Sequence, residues 1–243
     1  MSATLNLETA SRTHVGNVRK RNEDYFYQGQ WLYAVADGLG GHVAGDTAST
    51  TAINAMKAYD RRVPVTDLIG VLGRAINDAG EALRRKIREE PQLAGMGTTV
   101  VAMLWSGNAA VLANVGDSRA YLIRNFGSEH SVMMQVSEDH TYQHLVAAAD
   151  KVPNLPEKLA RFLDGRKDGR SPDLTSLQLH PGDRILLCSD GLSSYVPEEL
   201  IRTSLVSPKN AGEVADSLVT SALERGGRDN VTVIVIDVLD DSA

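Results

Sequence analysis

Cysteine is nearly absent from this 243-residue chain: Cys188 stands alone, so no intrachain disulfide can form and a reducing, cytoplasmic setting is expected. Long apolar runs are missing as well. None approaches the roughly 18 residues that a membrane-spanning helix needs, so no membrane partner is expected. The opening MSATLNLETASR lacks the basic-then-apolar layout of a secretory signal. Basic charge is in deficit, with 25 Lys and Arg against 31 Asp and Glu. The resulting net charge of -6 argues against nucleic acid, whose phosphates select basic surfaces. There is no low-complexity tract, internal repeat or Pro/Gly/Ser-rich linker, so a single domain over residues 1–243 is expected. Three enzyme signatures are missing too: the G-x-S-x-G elbow, the G-x-x-x-x-G-K-[ST] phosphate loop and a D-x-D pair. What remains is an enzyme-sized chain with a core of ordinary size and an excess of carboxylates.

Apolar and β-branched runs predict strands at 31–36, 97–105, 109–115, 184–189 and 231–238, with shorter ones near 4–10, 25–28, 119–124 and 175–179. Ser106-Gly107-Asn108 predicts a hairpin between two of them. Helices are predicted at 44–59, 67–89 and 211–225. Thr66 is the expected cap of the second, and Asn210 with Glu213 resembles a capping box on the third, which Gly226 ends. Strands follow one another between 97 and 135 without a helix for each, which favours α+β with antiparallel sheets. Residues 136–180 stand apart: polar, locally basic and weak in strand character, they read either as a substrate-facing flap or as a solvated surface segment.

Chemistry concentrates at strand tips. WLYAVADG ends in Asp37-Gly38, RILLCSDG in Asp190-Gly191 and AAVLANVGD in Gly116-Asp117; a fourth acid, Asp229, precedes the last strand. An Asp-Gly pair is by itself an ordinary turn. Several at the ends of central strands hold carboxylates rigidly, and grouped carboxylates need a positive partner to offset repulsion and desolvation. Oxygen donors without a His/Cys cluster suit Mg²⁺ or Mn²⁺ rather than zinc or copper. Gly38, lacking a Cβ, lets backbone approach an ion and offers its carbonyl. Upstream, Arg19, Lys20 and Arg21 precede Glu23-Asp24; this is either a surface charge cluster or the place where a guanidinium forks onto a phosphate.

Seven stretches together, VRKRNED (18–24), ADGLGGHVAGD (36–46), GMGTTV (95–100), NVGDSRAYLIR (114–124), SEDHT (137–141), PGDRILLCSDGL (181–192) and GGRDNVTVIV (226–235), resemble the PP2C (PPM) family of metal-dependent protein Ser/Thr phosphatases in its bacterial form. They span nearly the whole chain in the family's order. The resemblance implies an αββα four-layer sandwich of two antiparallel sheets flanked by helices, with two Mn²⁺ or Mg²⁺ ions at one end. It implies Asp37 as the bridging ligand, Gly38 through its carbonyl, Asp190 and Asp229 on one ion, and Asp24 with Glu23 on the other. Asp117 with Asp190 matches a third, weaker ion of bacterial members, and Arg19 matches the phosphate-binding arginine. The implied reaction is hydrolysis of phosphoserine and phosphothreonine in proteins by a hydroxide between the metals, opposing a Ser/Thr kinase. Phosphoproteins are the implied substrates, and a monomer is expected.

Two departures stand out. Eukaryotic members carry a histidine after the Asp-Gly; here that position is Leu39, and His42 three residues on is a candidate general acid with bound water as the alternative. The flap stretch NLPEKLARFLDGRKDGRSPDL also differs from the family's usual pattern, which leaves substrate choice open. The alternative function is a catalytically weak PP2C-like binding or regulatory module. Retention of Asp24, Asp37, Asp190 and Asp229 argues against it.

Overall fold

The structure is a computed structural model that describes residues 5–39, 44–142, 159–166 and 171–240. Eleven strands among these residues form two antiparallel sheets. One orders β1 (Leu5–His14), β11 (Val231–Asp240), β10 (Arg184–Cys188), β7 (Arg119–Arg124) and β8 (Val132–Gln135) side by side. The other orders β2 (Asp24–Gln28), β3 (Leu32–Leu39), β5 (Val100–Ser106), β6 (Ala109–Val115) and β9 (Asp173–Gln178), with the short β4 (Gly97–Thr98) on the end of β3.

Alternation along the strands explains the layering. Tyr33 and Val35 of β3 point to one face, where they meet Leu112, Leu187, Ile234 and Ile236 between the sheets. Leu32, Ala34 and Ala36 point the other way, onto helices α1 (Gly45–Met56) and α2 (Leu68–Glu89). In β11, Val231, Val233 and Val235 face outward beneath α3 (Glu198–Leu205) and α4 (Ala211–Glu224). Both central strands are therefore buried on two faces, and each reads as an unbroken apolar run. The result is the expected αββα sandwich with three apolar interfaces.

Several local expectations are corrected. The run 97–105 is broken at Thr99, which turns its hydroxyl and amide onto the backbone of Asp37 (3.1 and 2.9 Å). The β5–β6 turn is two residues, not three: Ser106 pairs with Ala109, and Gly107 takes φ +61°, the conformation a glycine-first hairpin turn requires. Thr66 does not cap α2; its hydroxyl donates to Asp67 instead. Helix α3 was not foreseen, because a helix of eight residues offers barely two turns of periodicity. The capping box on α4 is present, with Asn210 and Glu213 exchanging bonds of 2.9 and 3.2 Å.

One buried charge anchors the outer layer. Arg184 is fully buried and forks onto Asp237 at 2.5 and 2.8 Å. Its remaining donors reach the carbonyls of Leu205, Ser207 and Lys209 at 2.6–3.1 Å, and the guanidinium lies 3.9 Å from the Phe126 ring centre. Every donor is used, which is the condition for tolerating a charge in the core.

Candidate active site

Asp24 opens β2 and Asp37 lies near the end of β3, and the two are direct partners in the antiparallel ladder. Asp190 follows β10 on the one-turn helix Asp190–Ser193, and Asp229 lies two residues before the adjacent β11. Asp117 occupies the turn between β6 and β7, one strand from each sheet. The two sheets thus deliver five acids to one end of the sandwich.

Their proximity registers as mutual electrostatic strain. Burial pushes the Asp24 carboxyl up to about 7, with the charges of Asp190 and Asp229 adding to it and hydrogen bonds from Thr232 and Ser189 opposing. Burial likewise drives Asp37 well above the carboxylate range, reinforced by Asp24 and Asp190. Asp190 is raised by burial and by Asp229, with Asp37, Arg19 and Arg119 opposing. Asp117 is raised to about 7 by burial and by Asp190. Two oxygens in this group, Asp24 Oδ1 and Asp190 Oδ1, are buried and have no hydrogen-bond partner.

The remaining expected residues take distinct places. The Arg19 guanidinium is half-exposed and donates to Asp229 Oδ2 at 2.6 Å. The main chain of Glu23 is tied down on both sides, its amide to Asn230 Oδ1 at 2.8 Å and its carbonyl to Ser49 Oγ at 2.6 Å and Gly38 N at 3.2 Å. Gly38 is pressed against the start of α1 so closely that a Cβ there would lie 2.0 Å from the Gly45 carbonyl oxygen. Gly191 is as constrained, 1.8 Å from Asn230 O by the same measure. His42 lies outside the described residues, as do 143–158 and 167–170 of the expected flap.

Residues that the sequence reading passed over hold the acids in place. Ser189 donates to Asp24 Oδ2 at 2.7 Å and accepts from the Thr232 amide at 3.0 Å. Asn230 donates to the carbonyls of Val15 and Arg21, both at 2.9 Å, which fastens the Arg19 loop to the start of β11. Arg119 forks onto Asp139 at 2.6–3.0 Å beside Asp117. Ser189 and Asn230 adjoin Asp190 and Asp229 in the chain, and that adjacency was their only signal.

Among the described residues, no three His, Cys, Asp or Glu side chains stand as a finished metal cluster. In this arrangement Asp229 accepts from Arg19 and Asp24 accepts from Ser189. The donor set still fits a hard divalent cation, because it is all oxygen, half-buried with two fully buried and unpartnered oxygens, and strained by its own negative charge.

Fold and site together define a class of protein, a four-layer αββα sandwich with an acidic cluster at one end of its sheets. The chain belongs to the protein phosphatase 2C family, which residues 13–230 match. It is 41% identical to the serine/threonine protein phosphatase PstP of Mycobacterium tuberculosis over 98% of this chain and 46% of that one, so it spans about half of that relative's length. It is 35% identical to the serine/threonine phosphatase stp of Listeria innocua, over 93% of this chain and 94% of that one. The catalytic domain of PstP, solved in complex with 2 manganese ions, superposes with a TM-score of 0.88 at 40% identity, covering 98% of this chain and 100% of that one. Stp1 from Staphylococcus aureus superposes at 0.85 with 30% identity, covering 98% and 97%.

Proposed function

We propose that this chain is a single-domain, metal-dependent protein phosphatase that hydrolyses phosphoserine and phosphothreonine. The pairing of Asp24 with Asp37 across the β2–β3 ladder, each beside Asp190, carries this reading. Such a group of acids near neutral pH calls for protons or cations to offset its charge, and cations do so without blocking the oxygens. Asp24, Asp37, the Gly38 carbonyl, Asp190 and Asp229 would hold two Mn²⁺ or Mg²⁺ ions, with Glu23 beside them and Asp117 with Asp190 serving a third. When bound, such ions make water acidic enough to supply a nucleophile near neutral pH and neutralise phosphoryl charge.

The chain's own residues do the rest. Arg19 leaves Asp229 to fork onto phosphoryl oxygens, a geometry that lysine cannot reproduce. Thr98 and Thr99 fix the main chain of Asp37, and Ser189 fixes Asp24, so the carboxylates need little reorganisation. No enzyme nucleophile is required: Cys188 is buried and its thiol is pushed up to about 12 by burial. His42 is the proposed proton donor to the leaving alkoxide. Among the described residues no helix is long and apolar enough to cross a membrane. A cytoplasmic monomer acting on phosphoproteins, with a Ser/Thr kinase as counterpart, completes the proposal.

The test is release of phosphate from a phosphothreonine peptide with added Mn²⁺, with and without EDTA, alongside calorimetric titration of Mn²⁺. Metal uptake together with EDTA-sensitive turnover supports the reading. A folded chain that takes up no Mn²⁺ at millimolar levels refutes it.

A further inference from the structure

One row of residues crosses the sheet of β2, β3, β5 and β6 at the end where the acids gather. Asp24 pairs with Asp37. The pairs Gly38 with Thr98 and Val35 with Val101 both set Thr99 opposite Asp37. Beyond it, the pair Val100 with Val115 sets Gly116 opposite Thr99. A Cβ on Gly116 would lie 2.6 Å from both Cβ and Cγ2 of Thr99, so glycine there makes room for the threonine. The row therefore runs Asp24, Asp37, Thr99, Gly116. The chain then turns through Asp117 and Ser118 into β7 of the other sheet.

At Thr99 the ladder changes partners. The Thr99 amide donates to the Asp37 carbonyl at 2.9 Å, as an antiparallel pair requires. The Asp37 amide donates at 3.1 Å to the Thr99 hydroxyl instead of the Thr99 carbonyl, which accepts from Thr98 Oγ1 at 2.9 Å. The same Thr99 hydroxyl lies 2.7 Å from Ser118 Oγ. Both side chains are fully buried, so bulk water offers neither hydroxyl another partner. Whichever of the two donates, the bond joins the strand end that carries Asp37 to the turn that carries Asp117. On the other side of that turn, Arg119 is fixed by its fork onto Asp139. Valine and alanine would fill nearly the same space without burying two hydroxyls. The hydroxyls add what packing lacks, a directional tie between the two places.

We propose that Thr99 and Ser118 are positioning residues: their shared hydrogen bond holds the Asp37 end of β3 against the Asp117 turn, and so sets the separation of the oxygens that take up divalent cations. Neither hydroxyl serves as a ligand. Thr99 acts through the main chain of Asp37, and Ser118 through its chain neighbour Asp117. Because one bond serves both residues, the two act as a unit, and removing either partner breaks it. The inference rests on the phosphatase reading, which is what puts cations on these acids.

Calorimetric titration of Mn²⁺ into the intact, metal-stripped chain compares the parent with Thr99→Val, Thr99→Ser, Ser118→Ala and the double variant Thr99→Val/Ser118→Ala. Urea midpoints verify that each folds. Thr99→Val also leaves the Asp37 amide without its acceptor and is expected to weaken Mn²⁺ uptake about tenfold or more. Thr99→Ser keeps the hydroxyl and is expected to stay within about threefold of the parent. Ser118→Ala removes only the shared bond and is expected to fall between those two. The double variant is expected to bind no more weakly than Thr99→Val, where that bond is already gone. Parental affinity in folded Thr99→Val and Ser118→Ala overturns the proposal and leaves the pair a purely structural role, visible only in the urea midpoint. Equal losses in Thr99→Ser and Thr99→Val, or losses that add in the double variant, overturn it as well. If Thr99→Val does not fold, Ser118→Ala decides: weakened uptake supports the proposal and parental uptake overturns it. A parent that takes up no Mn²⁺ refutes the phosphatase reading and this inference with it, whereas unchanged uptake in variants of a binding parent removes only the inference.

Discussion

Asp24 and Asp37 face each other across the β2–β3 ladder, in a position where neighbouring strands ordinarily pair apolar or oppositely charged side chains. Their burial raises both, and the metal-free protein carries the cost. The sign is unambiguous. A carboxyl with an unfolded pKa near 3.9 and a folded value of about 7, as at Asp24 and Asp117, favours the fold fully below pH ~4. That contribution is lost as pH rises through about 7. In EDTA, the melting temperature should therefore fall between pH 5 and pH 8, and Mn²⁺ should remove the decline. Scanning calorimetry across that range checks both; equal stability at the two pH values in chelator would contradict the buried-acid description.

Neutralising one acid should separate stability from turnover. Asp37→Asn relieves repulsion, so the metal-free chain should melt no lower than the parent, while phosphopeptide turnover falls by at least about 100-fold. Paired melting curves and phosphate release in Mn²⁺ give the two readouts. A variant that retains turnover removes Asp37 from the proposed metal ligands.

Arg19 is free enough to exchange partners, being half-exposed on a single acid. Arg19→Ala is expected to raise KM and lower kcat/KM by about tenfold or more, and Arg19→Lys should restore little of it. Steady-state kinetics on one phosphopeptide distinguishes the three proteins. Full rescue by lysine would show that charge alone, without the fork, suffices.

Glycine at 38 and 191 is a matter of space. A methyl group would fall 2.0 Å from the Gly45 carbonyl oxygen in one case and 1.8 Å from that of Asn230 in the other. Backbone must move to admit it, at a cost of about 2 kcal/mol or more. Gly191→Ala should lower the urea midpoint accordingly; an unchanged midpoint would mean that β10 and β11 separate more easily than their packing indicates.

Arg184 and Asp237 test the outer layer independently of the acids. Asp237→Asn leaves a buried guanidinium without its counter-charge and should cost about 3–5 kcal/mol. Replacing both partners by apolar residues should cost less than either single change. Urea denaturation of the double-mutant set gives the comparison.

Much of the architecture could be read from the chain because two-sided burial writes itself as apolar runs. VTVIVIDV and RILLCS are central strands for that reason, and Asp37, Asp190 and Asp229 were conspicuous because each interrupts such a run or adjoins one. The capping box at Asn210 and Glu213 was legible because cap and helix are local in sequence. Thr66 failed as a cap for an equally local reason, since its hydroxyl found Asp67. Ser189, Asn230 and Arg119 were not legible as supports. What each does depends on a partner brought from a distant segment: Asp24 for Ser189, Val15 and Arg21 for Asn230, Asp139 for Arg119.

The amino-acid order by itself determined which segments must be buried and which positions carry negative charge, because solvation and backbone period act over a few neighbouring residues. Only the tertiary structure decided that Asp24 lies opposite Asp37, that Asp229 is held by Arg19, and that the Thr99 hydroxyl meets that of Ser118. Those relations depend on ladder register and sheet-on-sheet packing. Both are settled by burying all the strands at once, a condition that no single stretch of chain contains.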